Sequence, residues 1–400
     1  MLTDSGHLTY CTNIHAGESW PDHFTALKQF FPVIKERVSP LKPMGLGLRL
    51  SHAASLDLIR STDLEVFKKW LEDQNAYVFT MNGFPYGGFH NTRVKDDVHS
   101  PDWTSNERLE YSIRLFDILK QLLPEGMDGG VSTSPLSYRY WFSESPDALE
   151  RAKEKATRNI IKVAEHLISI RKQTSQILHL DIEPEPDGIL ETGAEFIEWY
   201  ESYLLLMGKE TICAKFSVSA EEAEALLKDH IRLCYDVCHF AIGYEPHQEV
   251  INELQDKGLK IGKFQISAAL KADIPSGSKD EIIQAFSKFN ESTYLHQVVA
   301  RKEDAELVRY RDLSPALQDI SHPGVKEWRA HFHVPVFGQY SSIVQSTQSD
   351  IVEVLGIHKK TSVTHHLEVE TYTWEVLPES LKLPIEESII RELEWVKDQL

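Results

Sequence analysis

Cysteine is scarce in this chain: Cys11, Cys213, Cys234 and Cys238 are the only four in 400 residues, and none forms a CxxC pair. That excludes a zinc-ribbon or thioredoxin-type motif and a disulfide scaffold. The four read as reduced thiols of a cytoplasmic protein, most of them inside predicted strands, where free cysteine packs as a small hydrophobe. No apolar run approaches the ~18 residues of a membrane span, and Met1 to Tyr10 has neither a basic nor an apolar leader segment. A soluble, non-secreted protein is expected. Positive charge is also in deficit, with 42 Lys and Arg against 61 Asp and Glu and a formal net charge of −19. Such a field repels phosphate backbones and anionic lipid, which argues against a nucleic-acid partner. No P-loop, GxGxxG fingerprint or GxSxG elbow occurs, so nucleotide-dependent and serine-hydrolase chemistry lack their usual support.

What the chain does have is alternation. No low-complexity linker divides it, and with 42% hydrophobic residues it can bury one large core, so residues 1–400 are read as one domain. Eight β-type runs recur at Leu8 to His15, Gly45 to Ser51, Ala76 to Asn82, Gly129 to Ser134, Ile177 to Glu183, Arg232 to Cys238, Ile261 to Ser267 and Val363 to Glu370. Amphipathic stretches lie between them, including Asp22 to Val38, Ala54 to Leu71, Asn106 to Leu123, Ala148 to Ile170, Ala194 to Met207, Glu221 to His230 and His247 to Asp256, with Ile385 to Gln399 last. Eight strands alternating with helices predict a (β/α)8 TIM barrel of the α/β class. The stretch from the seventh run to the eighth is too long for one connection. Residues 271–360 are therefore read as an insertion on the catalytic face, containing a helix at Lys279 to Asn290, strand-like His296 to Arg301 and His331 to Phe337, and a helix near Asp350 to Ile357. A glycine-rich loop from Asn82 to about Ser105 has room to cover the barrel mouth.

Parity along the runs places polar side chains inside. Leu180 and Ile182 alternate with His179, Asp181 and Glu183, and Leu367 and Val369 with His366, Glu368 and Glu370. A purely structural barrel would fill those places with Val, Ile and Leu. Glu183, Asp236, Gln265 and Glu370 fall on inward positions near the C-terminal ends of four consecutive strands, which predicts a carboxylate-rich divalent metal site; the alternative is a salt-bridge network at the rim. Oxygen ligands suit Mn²⁺, Mg²⁺ or Co²⁺, and nearby imidazoles move the preference toward Zn²⁺. Asp236 and His239 would face opposite ways on a straight strand, so the strand must bend or end between them. Further candidates for a ligand or substrate contact are His331, His333, Glu368, His15, Arg49, Asn82 and His90, with His366 on the inner face of the eighth run. Tyr86 joins His90 as a lid candidate.

Ile182-Glu183-Pro184, Asp236-Val237-Cys238-His239 and Val369-Glu370-Thr371 resemble the motifs of the xylose isomerase-like TIM barrels, which include sugar isomerases and epimerases and, more distantly, endonuclease IV. More narrowly, Leu-Asp-Ile-Glu-Pro-Glu-Pro, Cys-Tyr-Asp-Val-Cys-His, Lys-Phe-Gln-Ile-Ser and His-Phe-His-Val-Pro-Val-Phe, in that order, are similar to the EboE group of metabolite traffic proteins. The resemblance implies that Glu183 and Glu370 are metal ligands and an acid/base pair, that Asp236 is a third ligand, and that His239 contacts substrate or a second metal. It also implies a small-molecule metabolite as ligand and other ebo-cluster proteins as partners. Gln265 stands where the epimerases usually carry a His ligand. His331 and His333 are matched to the Asp-x-His ligands of endonuclease IV, which keeps a polynuclear zinc site open.

Three functions remain in view. The first is a metal-dependent isomerase or epimerase of a polyhydroxylated metabolite or sugar phosphate, in which two carboxylates remove and return a proton beside a carbonyl. The second is a non-catalytic protein that binds and hands off a metabolite. The third is an endonuclease IV-like phosphodiesterase.

Overall fold

A computed structural model describes residues 1–60, 62–90, 93–274, 279–338 and 343–400. Strand β1 (Leu2–Thr3) pairs antiparallel with β2 (Gly6–Tyr10). The parallel series continues through β3 (Met44–Arg49), β4 (Ala76–Asn82), β5 (Gly129–Thr133), β6 (Leu178–Ile182), β7 (Ile231–Asp236) and β8 (Ile261–Ile266). A separate antiparallel sheet follows, made of β9 (Ala268–Asp273), β10 (Val298–Lys302), β11 (Leu307–Tyr310), β12 (Val325–Val334) and β13 (Gln345–Ser346), before β14 (His366–Val369) rejoins the barrel. The barrel order is β1-β2-β14-β8-β7-β6-β5-β4-β3. This is a (β/α)8 TIM barrel with an insertion between its seventh and eighth parallel strands.

The seam between β2 and β3 is closed by side chains. Cys11 forms an isolated bridge to Gly47, while Thr9 Oγ1 donates to the Gly45 carbonyl at 2.9 Å and accepts from Gly47 N–H at 3.0 Å. Gly47 has to be glycine, because a Cβ there would lie 1.8 Å from Glu368 Oε1 and 2.7 Å from the Tyr10 carbonyl.

The helices follow from capping and spacing. Ser145 accepts from Ala148 N–H to start Pro146–Thr174, whose buried Ala152, Ala156, Ile160, Ala164, Leu167 and Ile168 lie three, four or one apart. Thr192 and Glu195 form a reciprocal capping box at the next helix. Among the described residues no helix is long and apolar enough to cross a membrane.

The structure departs from the sequence reading in several places. The expected strand Arg232 to Cys238 stops at Asp236, and Val237–Ile242 is helical, because the Asp236 carboxylate caps it by accepting from His239 N–H at 3.1 Å. The turn brings Asp236 and His239 to one side, as three-residue helical spacing requires. Of the four cysteines, all of them free, only Cys234 lies within a strand. Leu8 to His15 ends as a strand at Tyr10 and passes into a 3-10 turn at Thr12–Ile14. The stretch Ala54 to Leu71 forms two helices, His52–Arg60 and Asp63–Asp73, since Thr62 and Asp63 favour a new N-terminus; Ser61 lies outside the described residues. Ala194 to Met207 extends through a π-helical turn at Tyr200–Leu205 to Phe216. The limits 271–360 cut through β9, and residues 275–278 and 339–342 within them, like 91–92 of the glycine-rich loop, lie outside the described residues.

The barrel interior is polar. Lys263 on β8 bonds Glu368 on β14 at 2.6 Å and reaches Ser132 Oγ on β5 at 3.1 Å, three strands away and hence across the interior. Lys263 and Glu368 are both fully buried. Losing one member strands a buried charge, so Lys263→Met is expected to lower stability by about 3–5 kcal/mol, and Lys263→Met/Glu368→Leu to recover most of it. Urea unfolding would show this. Equal stability of Lys263→Met and wild type would contradict the pair.

Candidate metal centre at the barrel mouth

Three elements deliver carboxylates to the C-terminal mouth. Glu183 follows β6, its N–H donating to the Thr133 carbonyl at 3.0 Å; Asp236 ends β7; Glu370 follows β14, its N–H donating to the Ile266 carbonyl at 3.1 Å. Glu185, two residues beyond Glu183, pairs with His99 at 2.9 Å. One oxygen each of Glu183, Asp236 and Glu370 lie within 4.8 Å of one another. Asp236 Oδ1 accepts from Ser267 Oγ–H at 2.7 Å as well as from His239 N–H, leaving Oδ2 without a partner. Glu370 Oε1 accepts from Asn13 Nδ2 at 2.7 Å and Asn82 Nδ2 at 2.9 Å, and Asn82 is itself oriented by Phe84 N–H. Glu183 Oε2 has no partner.

Three imidazoles meet these carboxylates, and their tautomers follow from their neighbours. His239 Nδ1 faces the Pro184 carbonyl at 3.0 Å, His331 Nδ1 faces Gln297 Oε1 at 2.9 Å, and His333 Nδ1 faces the Glu370 carbonyl at 3.2 Å. A carbonyl oxygen only accepts, so each Nδ1 carries hydrogen and each neutral ring presents an Nε2 lone pair. Gln297 is itself oriented by its Nε2–H donating to the Pro186 carbonyl. His239 Nε2 and His331 Nε2 lie 3.1 Å apart, and His333 Nε2 has no partner. Two facing lone pairs at that distance require a proton or a cation between them. Backbone and amide acceptors behind each ring are the usual support of metal-bound histidine. The donor set therefore fits a divalent cation, with Glu183, Asp236 and Glu370, Asp236, His239 and His333, and Glu185, His239 and His331 as overlapping triads.

Burial and mutual repulsion govern the acids. Burial, then Glu370 and Asp236, holds Glu183 well above the usual carboxylate range; burial, then Asp236, pushes Glu370 up to about 8. Burial keeps His331 well below its ordinary range and lowers His333 to about 4. A carboxyl raised in the folded state contributes stability that is full below about pH 4.5 and is lost as pH rises to about 8. The buried histidines act oppositely, but only below about pH 6.5. Chelator-stripped protein is thus expected to lose thermal stability between pH 6.5 and 8, and saturating Mn²⁺ or Zn²⁺ to reduce that loss. Scanning calorimetry across that window checks it, and a midpoint that rises with pH in the stripped protein would contradict the assignment.

The pocket is a cavity of about 60 Å³ with an open mouth. The glycine-rich loop contributes Phe84, Phe89, Val94 and His99, and Tyr294 and Tyr372 complete an aromatic wall with Phe89 at ring separations of 5.1–5.3 Å. Asn82, Glu183, His239, His331, His333 and Glu370 all line it. Gln265 is buried beside Glu370, close enough to favour its ionised form, yet without a well-formed hydrogen bond. Other sequence candidates lie elsewhere. Glu368 sits deeper, on Lys263. His15 stacks on Phe30 and meets the Tyr10 hydroxyl. Arg49 pairs with Glu18 and donates to the Gly87 carbonyl, tethering the loop. His90 is held by the Asn13 carbonyl and Glu375, and Tyr86 stacks on His52. His366 lies at the opposite, N-terminal end of its strand. Asn13, Glu185, His99 and Gln297 were not foreseen; only Glu185 had a signal, sharing the parity of Glu183 in Glu-Pro-Glu-Pro.

Comparison with protein-family models and with curated proteins finds no match. Among solved structures, the IolI protein with a bound zinc atom is 14% identical, with a TM-score of 0.50 over 98% of this chain and 97% of that one. A xylose isomerase-like TIM barrel protein from Mycobacterium smegmatis, in complex with magnesium, is 10% identical, with a TM-score of 0.51 over 98% and 96%. The fold is a xylose isomerase-like TIM barrel.

Proposed function

We propose that the chain is a divalent-metal-dependent isomerase or epimerase of a small, uncharged, polyhydroxylated metabolite. The observation that carries this reading is the convergence of unpartnered carboxylate oxygens and imidazole Nε2 lone pairs in one buried pocket at the mouth of the barrel. Two proteins of the same fold hold zinc and magnesium, which supports it. A cation held by Glu183, Asp236 and Glu370, with His239 and His333 beside them, would polarise a substrate carbonyl and its neighbouring hydroxyl.

The chain's own residues supply the proton transfers. Asn13 and Asn82 hold Glu370 Oε1, so its proton sits on Oε2. Glu183 Oε2, without a partner, is the complementary acceptor. One removes a proton from the carbon beside the carbonyl and the other returns it; the raised affinity of both for protons makes them effective bases near neutral pH. The aromatic wall excludes water from that exchange.

Lys95 is the one Lys or Arg among the described residues lining the pocket, and Asp312 holds its ammonium at 2.7 Å. A phosphate would find no free cationic side chain there, which favours an unphosphorylated polyol over a sugar phosphate or the backbone gripped by a phosphodiesterase. Its likeness to the EboE group leads us to place this activity in cytoplasmic metabolite traffic alongside other ebo-cluster proteins.

The test is incubation of metal-loaded protein with ketoses and cyclic polyol ketones in deuterium oxide, followed by NMR. Deuterium appearing at the carbon beside the carbonyl, together with an interconverted product, is the expected result. A ligand that binds in the pocket and is recovered without deuterium would establish the hand-off function instead.

A further inference from the structure

A second cluster of metal-ligating side chains lies at the other end of the barrel. Asp128 precedes β5, His179 is the second residue of β6, Arg232 the second of β7, and His366 the first of β14. All therefore sit on the N-terminal floor, and β6 and β14 are separated by two strands. One ligand atom each from Asp128, His179 and His366 lie within 4.8 Å of one another.

The details suit a cation better than a hydrogen-bonded triad. Asp181 Oδ1 lies 2.6 Å from His179 Nδ1 and accepts its N–H, so His179 Nε2 carries a lone pair, and it has no partner. Both ring nitrogens of His366 are also without partners, in a side chain 1% exposed. His179 Nε2 stands 3.5 Å from Asp128 Oδ2, and His366 Nε2 stands 3.3 Å from Asp128 Oδ1. Charge-assisted N–H to carboxylate bonds are shorter, about 2.7–2.9 Å. Two ligands of one tetrahedral ion with bonds of about 2.0–2.1 Å are separated by about 3.3–3.4 Å, which the His366 Nε2 to Asp128 Oδ1 distance matches. Arg232 Nη1 donates to Asp128 Oδ2 at 2.9 Å, which occupies one carboxylate oxygen and leaves Oδ1 for an ion. Gly262 leaves room for this arrangement, since a Cβ there would lie 1.9 Å from Asp181 Oδ1. Asp128, 24% exposed, lines two surface clefts, so the position opens to solvent.

We infer that Asp128, His179 and His366 bind a second divalent ion of the zinc class, with Asp181 orienting His179 and a fourth position open to water. Two imidazoles and one carboxylate select Zn²⁺, Co²⁺ or Ni²⁺ over Mg²⁺ or Ca²⁺. Joining strands across the floor, this ion serves the barrel's structure and does not depend on the function assigned to the mouth.

The test uses the full chain carrying Asp236→Asn/His331→Gln, which removes a member from every candidate group at the mouth. After chelation, this protein is titrated with Co²⁺ and the visible absorbance of the bound ion is followed. One equivalent bound in a tetrahedral spectrum is expected. Adding His366→Gln or Asp128→Asn abolishes it, and adding Asp181→Asn weakens it about 10–100-fold, as for other supports behind a metal-bound histidine. Absence of Co²⁺ binding in the starting variant overturns the inference, as does unchanged binding after Asp128→Asn. Should the buried His366→Gln fail to fold, Asp128→Asn, at the surface, decides the matter alone.

Discussion

Glu183→Gln and Glu370→Gln are each expected to lower turnover of a true substrate by about 10²–10⁴-fold, the usual contribution of a positioned general acid or base. The change keeps the side chain's size and removes both its capacity to carry a transferable proton and the negative charge it offers a cation. Each variant should also lose product interconversion, since removal of the proton by one carboxylate and its return by the other require both partners. Asn82→Ala gives a graded control: it takes one of two donors from Glu370 Oε1 and should reduce turnover less than Glu370→Gln does. Unchanged interconversion in both glutamine variants would remove these residues from the mechanism.

Asp236→Ala is the second large effect. Asp236 belongs to the all-carboxylate triad and to the triad with His239 and His333, so its loss breaks both. It also removes the cap of Val237–Ile242, the helix that carries His239. Inductively coupled plasma mass spectrometry of purified protein should find stoichiometric metal in wild type and a deficit of at least one equivalent in Asp236→Ala. Thermal midpoints should agree, because an ion present at 100 times its dissociation constant stabilises the fold by about 2.7 kcal/mol, and that increment disappears with the ion. Metal-free wild type with no thermal shift on adding Mn²⁺ or Zn²⁺ would leave a metabolite-binding protein as the better description.

Much of this architecture was legible in the chain because parity and helical spacing are local. Ala76–Asn82 and Ile385–Gln399 have the limits their residue patterns predict. The inward set of His179, Asp181, Glu368 and Glu370 shows as plain alternation with aliphatic residues. What stayed hidden depends on partners distant in sequence. Strand β9 reads Ala-Ala-Leu-Lys-Ala-Asp, a composition poor in strand formers, and it is extended because β12 and β13 pair with it on either side. Strands β11 and β13, four and two residues long, are too short to show a period. Gln297 and His99 enter the pocket from loops and the insertion, where no repeat announces them. Parity could name the face of His366 but not its height along the strand, and height separates the floor of the barrel from its mouth.

Strand β12 has a consequence for the ancestry and engineering of this pocket. The eight-stranded barrel alone supplies the oxygen donors, while His331 and His333 come from a sheet it does not contain. A chain pruned to the bare barrel would keep hard-ion chemistry, suited to magnesium or manganese, and forfeit most of its nitrogen ligands. If the pocket holds the proposed cation, the insertion would select which element it accepts, and exchanging it between relatives would be a way to change metal preference without altering the barrel strands.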